Sequence, residues 1–160
     1  MKIEKVILKE SEIVKVDGEF KQIFKNQKEV PCFLTNYSLK RGKDLGLLNG
    51  SLIADVMKLI PLTKLKSADD IDPETMRELD EIEMMKVIYV GCIGANKNLD
   101  LGFDEFVSLY HDSYEDTLIL YTTLISGLIQ KDPNQFAKGL KNSTKQHKKK
   151  YNPHKSKSNA

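Results

Sequence analysis

Histidines, cysteines and serines are the side chains that catalysis would draw on, and their spacing here is poor for it. His147 and His154 fall in a lysine-rich C-terminal stretch, which leaves His111 alone among residues 1–132. Zinc finds no ligand set, because neither His-Glu-x-x-His nor a pair of Cys-x-x-Cys motifs occurs. Gly50-Ser51 lacks the spacing of a nucleophile elbow. Gly42-Lys43 is followed by Asp44, where a phosphate loop carries the hydroxyl residue that holds magnesium. His111, Asp112 and Ser113 are consecutive, whereas a nucleophilic triad is assembled from distant positions, so they read as chance. Eight acids from Asp69 to Glu83 read as a solvated helix start rather than an acid–base pair. The expectation is a protein that is not an enzyme and uses no cofactor.

One stretch imitates a calcium loop. With Glu105 as the twelfth, bidentate ligand, Asn96, Asn98 and Asp100 fall at the third, fifth and seventh positions. The first position is then Gly94, with no side-chain oxygen, and the sixth is Leu99, where the sharp turn needs glycine. Losing both removes most of the affinity, so the expectation is no metal and a loop that caps a helix at Asp104. Cys32 and Cys92 have apolar neighbours and read as buried small hydrophobes rather than reactive thiols. Two cysteines also cannot staple a secreted scaffold and suit a reducing compartment.

Charge is distributed unevenly. Residues 133–160 carry eight lysines and no acid, leaving 17 basic against 23 acidic residues in 1–132. Such asymmetry marks an interaction arm, although a solvated terminus that aids solubility has the same composition. Lys148, Lys149 and Lys150, with Tyr151 nearby, are the candidate contacts of that arm. It contains no arginine, so nucleic-acid binding through it is expected to be weak and nonspecific, and an acidic protein partner fits equally well.

Positioning any of these groups falls to a chain of 160 residues, about one domain's worth. At 40% hydrophobic and 30% charged residues it is able to bury a core and lies outside the disordered, collagenous and membrane classes. The longest mostly apolar stretch, 118–129, is too short to span a bilayer. Charges interrupt the apolar run at the N-terminus where a signal peptide needs continuity.

The pattern predicts β structure over residues 1–30, with a hairpin turn at Asp17-Gly18 and a break at Val30-Pro31. Helical periodicity follows over 35–140. Thr35 or Asn36 caps a first piece, and Gly42, Gly46 and Gly50 interrupt it. Ser51 caps a helix over 52–60 that Pro61 ends, and 63–72 is a loop. A long helix starts at Asp72-Pro73 and runs to about Gly94, with Met76, Leu79, Ile82, Met85, Tyr89 and Ile93 as its buried stripe. Helices over 103–110 and 114–130 and a weaker one from Asp132-Pro133 complete the set. The fold class is therefore α+β: a small N-terminal hairpin or sheet, a mainly helical bundle in one domain of residues 1–140, and a flexible basic tail over 141–160.

Three stretches in this order resemble the tail assembly chaperones of long-tailed bacteriophages that infect Gram-positive bacteria. They are CFLTNYSLKRGKDLGLLNGSLIADVMKLI over 32–60, MKVIYVGCIGA over 85–95, and FDEFVSLYHDSYEDTLILYTTLI over 103–125. The resemblance implies a non-enzymatic late protein of the host cytoplasm, absent from the finished virion. It would bind the tape-measure protein, keep that long helical chain soluble and help recruit the major tail (tube) protein around it. Phe103, Phe106 and Tyr110 are then candidate partner contacts on an apolar stripe, and self-association into a homo-oligomer is expected on the same grounds. A structural head–tail connector or tail-completion protein is the alternative.

Overall fold

The computed structural model describes residues 3–50, 52, 54 and 80–129. The chain divides into a unit over Met1–Leu128 and one over Ile129–Ala160, and the description concerns the first. The expected helix over 52–60, the loop over 63–72, the helix start at Asp72-Pro73, the helix from Asp132-Pro133 and the basic tail lie outside the described residues, apart from Leu52 and Ala54, which are helical.

β-branched residues early in the chain form β1 (Glu4–Val16) and β2 (Glu19–Cys32), paired antiparallel as a two-stranded sheet. Asp17 and Gly18 connect them with φ of 52° and 85°, the positive values that a two-residue hairpin turn needs to follow the strand twist. The expected break at Pro31 does not occur: β2 continues to Cys32, with Pro31 opposite Lys5. Both strands of a two-stranded sheet are edge strands, where proline is tolerated, and Pro31 stands one residue from the end of β2. The pairs Glu4↔Cys32, Val6↔Val30 and Leu8↔Lys28 put Val6, Leu8, Val30 and Cys32 on one face, and all four are buried. Beyond Leu8 the register shifts, because Glu10 pairs with Lys25, and Asn26 takes φ 51° to absorb the extra residue.

Helix α1 (Asn36–Asp44) starts at a capping box. Thr35 Oγ1 accepts from the Ser38 amide at 3.1 Å, and Ser38 Oγ accepts from the Thr35 amide at 2.5 Å. Gly46, at φ 69°, ends it. Gly42 does not interrupt the helix as expected. It lies inside α1, where an added Cβ would sit 2.6 Å from Leu48 Cδ1 and 2.9 Å from Val90 Cγ2.

Helix α2 (Glu81–Ala95) begins where Asp80 caps it, accepting from the amides of Ile82 at 2.8 Å and Glu83 at 3.3 Å. The predicted stripe is buried at Tyr89 and Ile93 but is not the whole buried surface, and its Met76 and Leu79 lie outside the described residues. Ile82 is 47% exposed and Met85 half-buried, whereas every residue from Val87 to Ile93 is buried. The helix is enclosed because β2, α1 and the helix α3 (Phe103–Leu109) all pack against it. Helix α4 (Tyr114–Ile129) follows and buries Leu118, Tyr121, Leu124 and Ile125 as its spacing requires. The architecture is α+β, a two-stranded sheet followed by four helices among the described residues. None of these helices is long and apolar enough to cross a membrane.

Candidate functional site

Side chains that resembled chemistry are used for structure. Cys32 and Cys92 are fully buried and free, and Cys32 Sγ donates to the Ile88 carbonyl at 3.4 Å. A hydrogen bond with Cys32, reinforced by burial, pushes the Cys92 thiol well up, away from the thiolate a nucleophile needs. Ser113 accepts from the Asp116 amide at 3.1 Å and donates to Asp116 Oδ2 at 2.7 Å, so it caps α4 instead of facing His111 as a nucleophile. Desolvation first, then the Asp116 charge, raise the Asp112 carboxyl, with Lys9 and His111 pulling the other way.

The calcium-loop mimic resolves into separate pieces. Gly94 is inside α2, Asn96 ends that helix, and the Asn98 amide donates to Asn96 Oδ1 at 3.2 Å. Asp104 is not the cap it was expected to be. Gly102 holds that position without a side-chain bond, and Asp104 and Glu105 stand in the first turn of α3, where carboxylates favour the helix dipole. No group of three or more His, Cys, Asp or Glu side chains converges on a metal position among the described residues.

The candidate contacts Phe103, Phe106 and Tyr110 fall on the inner side of α3. Phe106 is 0% and Tyr110 5% exposed, while Phe103 is half-buried with its ring edge-on to Tyr89, centroids 5.6 Å apart. The Tyr110 hydroxyl lies 2.9 Å from Thr117 Oγ1, and Thr117 in turn donates to the Ser113 carbonyl, so the tyrosine acts as donor. Tyr110 also bridges to Leu8. These aromatics fasten α2, α3 and the base of the hairpin, and an incoming chain would meet little of Phe106 or Tyr110. Lys148, Lys149 and Lys150 lie outside the described residues.

The outer hairpin, beyond the register shift, is different. The pairs Ser11↔Phe24, Ile13↔Gln22 and Lys15↔Phe20 share one face. Phe20 is 75%, Ile13 62% and Phe24 46% exposed. Lys9 Nζ sits 4.3 Å from the Phe24 ring centroid and Lys15 Nζ 5.7 Å from that of Phe20, within cation–π range. The opposite face is mixed, with Val14, Val16 and Ile23 among Glu10, Glu12, Glu19, Lys21 and Lys25, and Glu12 forms an ion pair with Lys25. Sequence reading found both strands and missed this surface. The signal was available: counting outward from Asp17-Gly18 fixes the register, and the register places Lys15, Ile13, Phe20 and Phe24 together.

No protein-family model, curated protein or solved structure matches the chain. Function therefore has to be argued from surfaces, of which a second stands out. A cleft of about 470 Å³ opens between the hairpin and the loop over 96–101. Leu8, Leu99, Leu101 and Leu109 form its apolar lining, and Glu10, Asp100 and Glu105 outnumber Lys28 among its charged groups. Tyr89 fixes that loop by donating to the Leu101 carbonyl at 2.6 Å.

Proposed function

We propose that this chain is a phage tail assembly chaperone: a non-enzymatic protein that shields the apolar helices of the tape-measure protein until tail-tube subunits enclose them. The observation that supports this reading is the outer hairpin, which carries Ile13, Phe20 and Phe24 exposed on one face. Reversible apolar contact is what such a chaperone must offer, and solvent-exposed aromatic residues set on a rigid ladder provide it at small entropic cost. The resemblance of residues 32–60, 85–95 and 103–125 supplies the identity of the client. The charged groups that border this face, Lys9 and Lys15, fit a client helix whose apolar stripe is flanked by carboxylates.

The role is transient, and that separates it from the structural alternative. Quantitative mass spectrometry of purified virions is expected to find this protein at trace level relative to the tail-tube subunit. A fixed stoichiometric copy number in the particle would overturn the chaperone reading in favour of a connector or tail-completion protein.

A further inference from the structure

We propose that the outer hairpin recognises one kind of client segment, an α-helix laid along its strands. That helix carries apolar residues at i, i+4 and i+8, and a carboxylate beside the first and the last of them on the same flank. This selection presupposes the chaperone reading of the face and specifies the part of the client that is held.

The ladder sets the spacing. The rows Lys15↔Phe20, Ile13↔Gln22 and Ser11↔Phe24 follow one another at every second residue. Phe20 and Phe24 therefore stand about 13 Å apart, at roughly 3.3 Å per residue. Ile13 occupies the row between them on the other strand. Gln22 Nε2 donates to Ser11 Oγ at 2.6 Å, which holds the amide toward the Phe24 row, while Ile13 stays 62% exposed. Along an α-helix, residues i, i+4 and i+8 rise in steps of about 6 Å, close to the step of these rows, and form a ridge suited to packing. An extended segment would match the same step but leave its backbone groups unpaired against an apolar face, whereas a helix satisfies its own.

Charge chooses the flank. Both cations stand on β1 and both aromatics on β2, with Lys15 Nζ 5.7 Å from the Phe20 ring and Lys9 Nζ 4.3 Å from the Phe24 ring. The two ammonium groups thus mark the outer rows, and none of the six paired residues in the three rows is acidic. Lys9 also attracts Asp112, which makes Lys15 the freer of the two. A client carboxylate at each end answers them on the β1 side, and a helix with lysines there is repelled. The opposite face, which mixes Glu10, Glu12 and Glu19 with Lys21 and Lys25, offers no such polarity.

Fluorescence anisotropy on the full-length protein tests the selection. The probe is a helix-stabilised synthetic peptide with leucine at i, i+4 and i+8 and a glutamate beside the first and last on one flank, and it should bind. Moving the middle leucine by two positions, or replacing both glutamates by lysines, should weaken binding roughly tenfold or more, as loss of an interface anchor does. Lys15→Glu should lose the glutamate peptide and gain the lysine peptide, a reversal that a misfolded variant would not show. A wild type that ignores the probe, equal binding of the displaced-leucine peptide, or a Lys15→Glu protein that keeps its preference would each overturn the proposal. So would a Phe20→Ser change that lowers the sedimenting mass of the protein by itself, because a second copy would then cover the face. Co-purification with the tape-measure protein separates this proposal from the reading beneath it. A client retained equally by wild type and Lys15→Glu contradicts the selection alone, whereas a client that wild type does not retain overturns both.

Discussion

Asp112 illustrates how an individual side chain can work against the fold that holds it. Its half-buried carboxyl is raised by desolvation and by Asp116, and the attractions of Lys9 and His111 only partly offset this. A carboxyl whose pKa rises on folding ionises more readily in the unfolded chain, so its charge at neutral pH opposes folding. The sign follows from proton linkage: the favourable contribution is present at low pH and is lost as pH rises through the carboxylate range. Asp112→Asn is accordingly expected to raise the Tm at pH 7, with the gain shrinking as pH falls below about 4, where the unperturbed carboxyl is itself protonated. Thermal melts of both proteins across that range check it, and an Asn variant that melts lower at pH 7 would contradict the burial argument. At the same scale, the Cys92 thiol and the Ser113 hydroxyl are committed to a core contact and a helix cap.

At the scale of elements, the crossing of α1 and α2 is set by small residues. A Cβ added to Gly94 runs into Ser38, and one added to Gly42 meets Leu48 and Val90. Ser38 is itself fully buried, so neither helix has room to give. Gly94→Ala is expected to destabilise the protein by about 1–3 kcal/mol through overpacking, where the same change in an open helix would gain about 1 kcal/mol. Urea unfolding measures the difference, and a stabilised variant would show that the helices slide apart freely. Much of this level was legible beforehand. The Asp17-Gly18 turn, the Thr35 cap and the span of α4 follow from local rules that the surroundings do not override. What local rules missed has a tertiary cause in each case. Pro31 is tolerated because its strand has a free edge, Gly42 marks close approach rather than a helix end, and α2 is enclosed by three elements, so no single stripe describes it.

For the molecule as a whole, the division of labour is between a packed body and an arm that emerges from it. The hairpin's base supplies Val6, Leu8, Val30 and Cys32 to the core, while its outer half presents Phe20, Ile13 and Phe24 to solvent. Sequence patterning directed attention to the apolar helices instead, because Phe103, Phe106 and Tyr110 show the spacing of an amphipathic stripe. Periodicity reports that a face is apolar and is silent on whether the chain's own core consumes it. Here α3 gives its aromatics to the interior, and the hairpin, whose strands look like ordinary alternating β, carries the exposed apolar side chains. The most direct test of the proposed shielding role is co-expression of this chain with the tape-measure protein proposed as its client. The account predicts that the pair stays in the soluble fraction and co-purifies, while the tape-measure protein alone precipitates; a tape-measure protein that precipitates equally in the presence of this chain would contradict it.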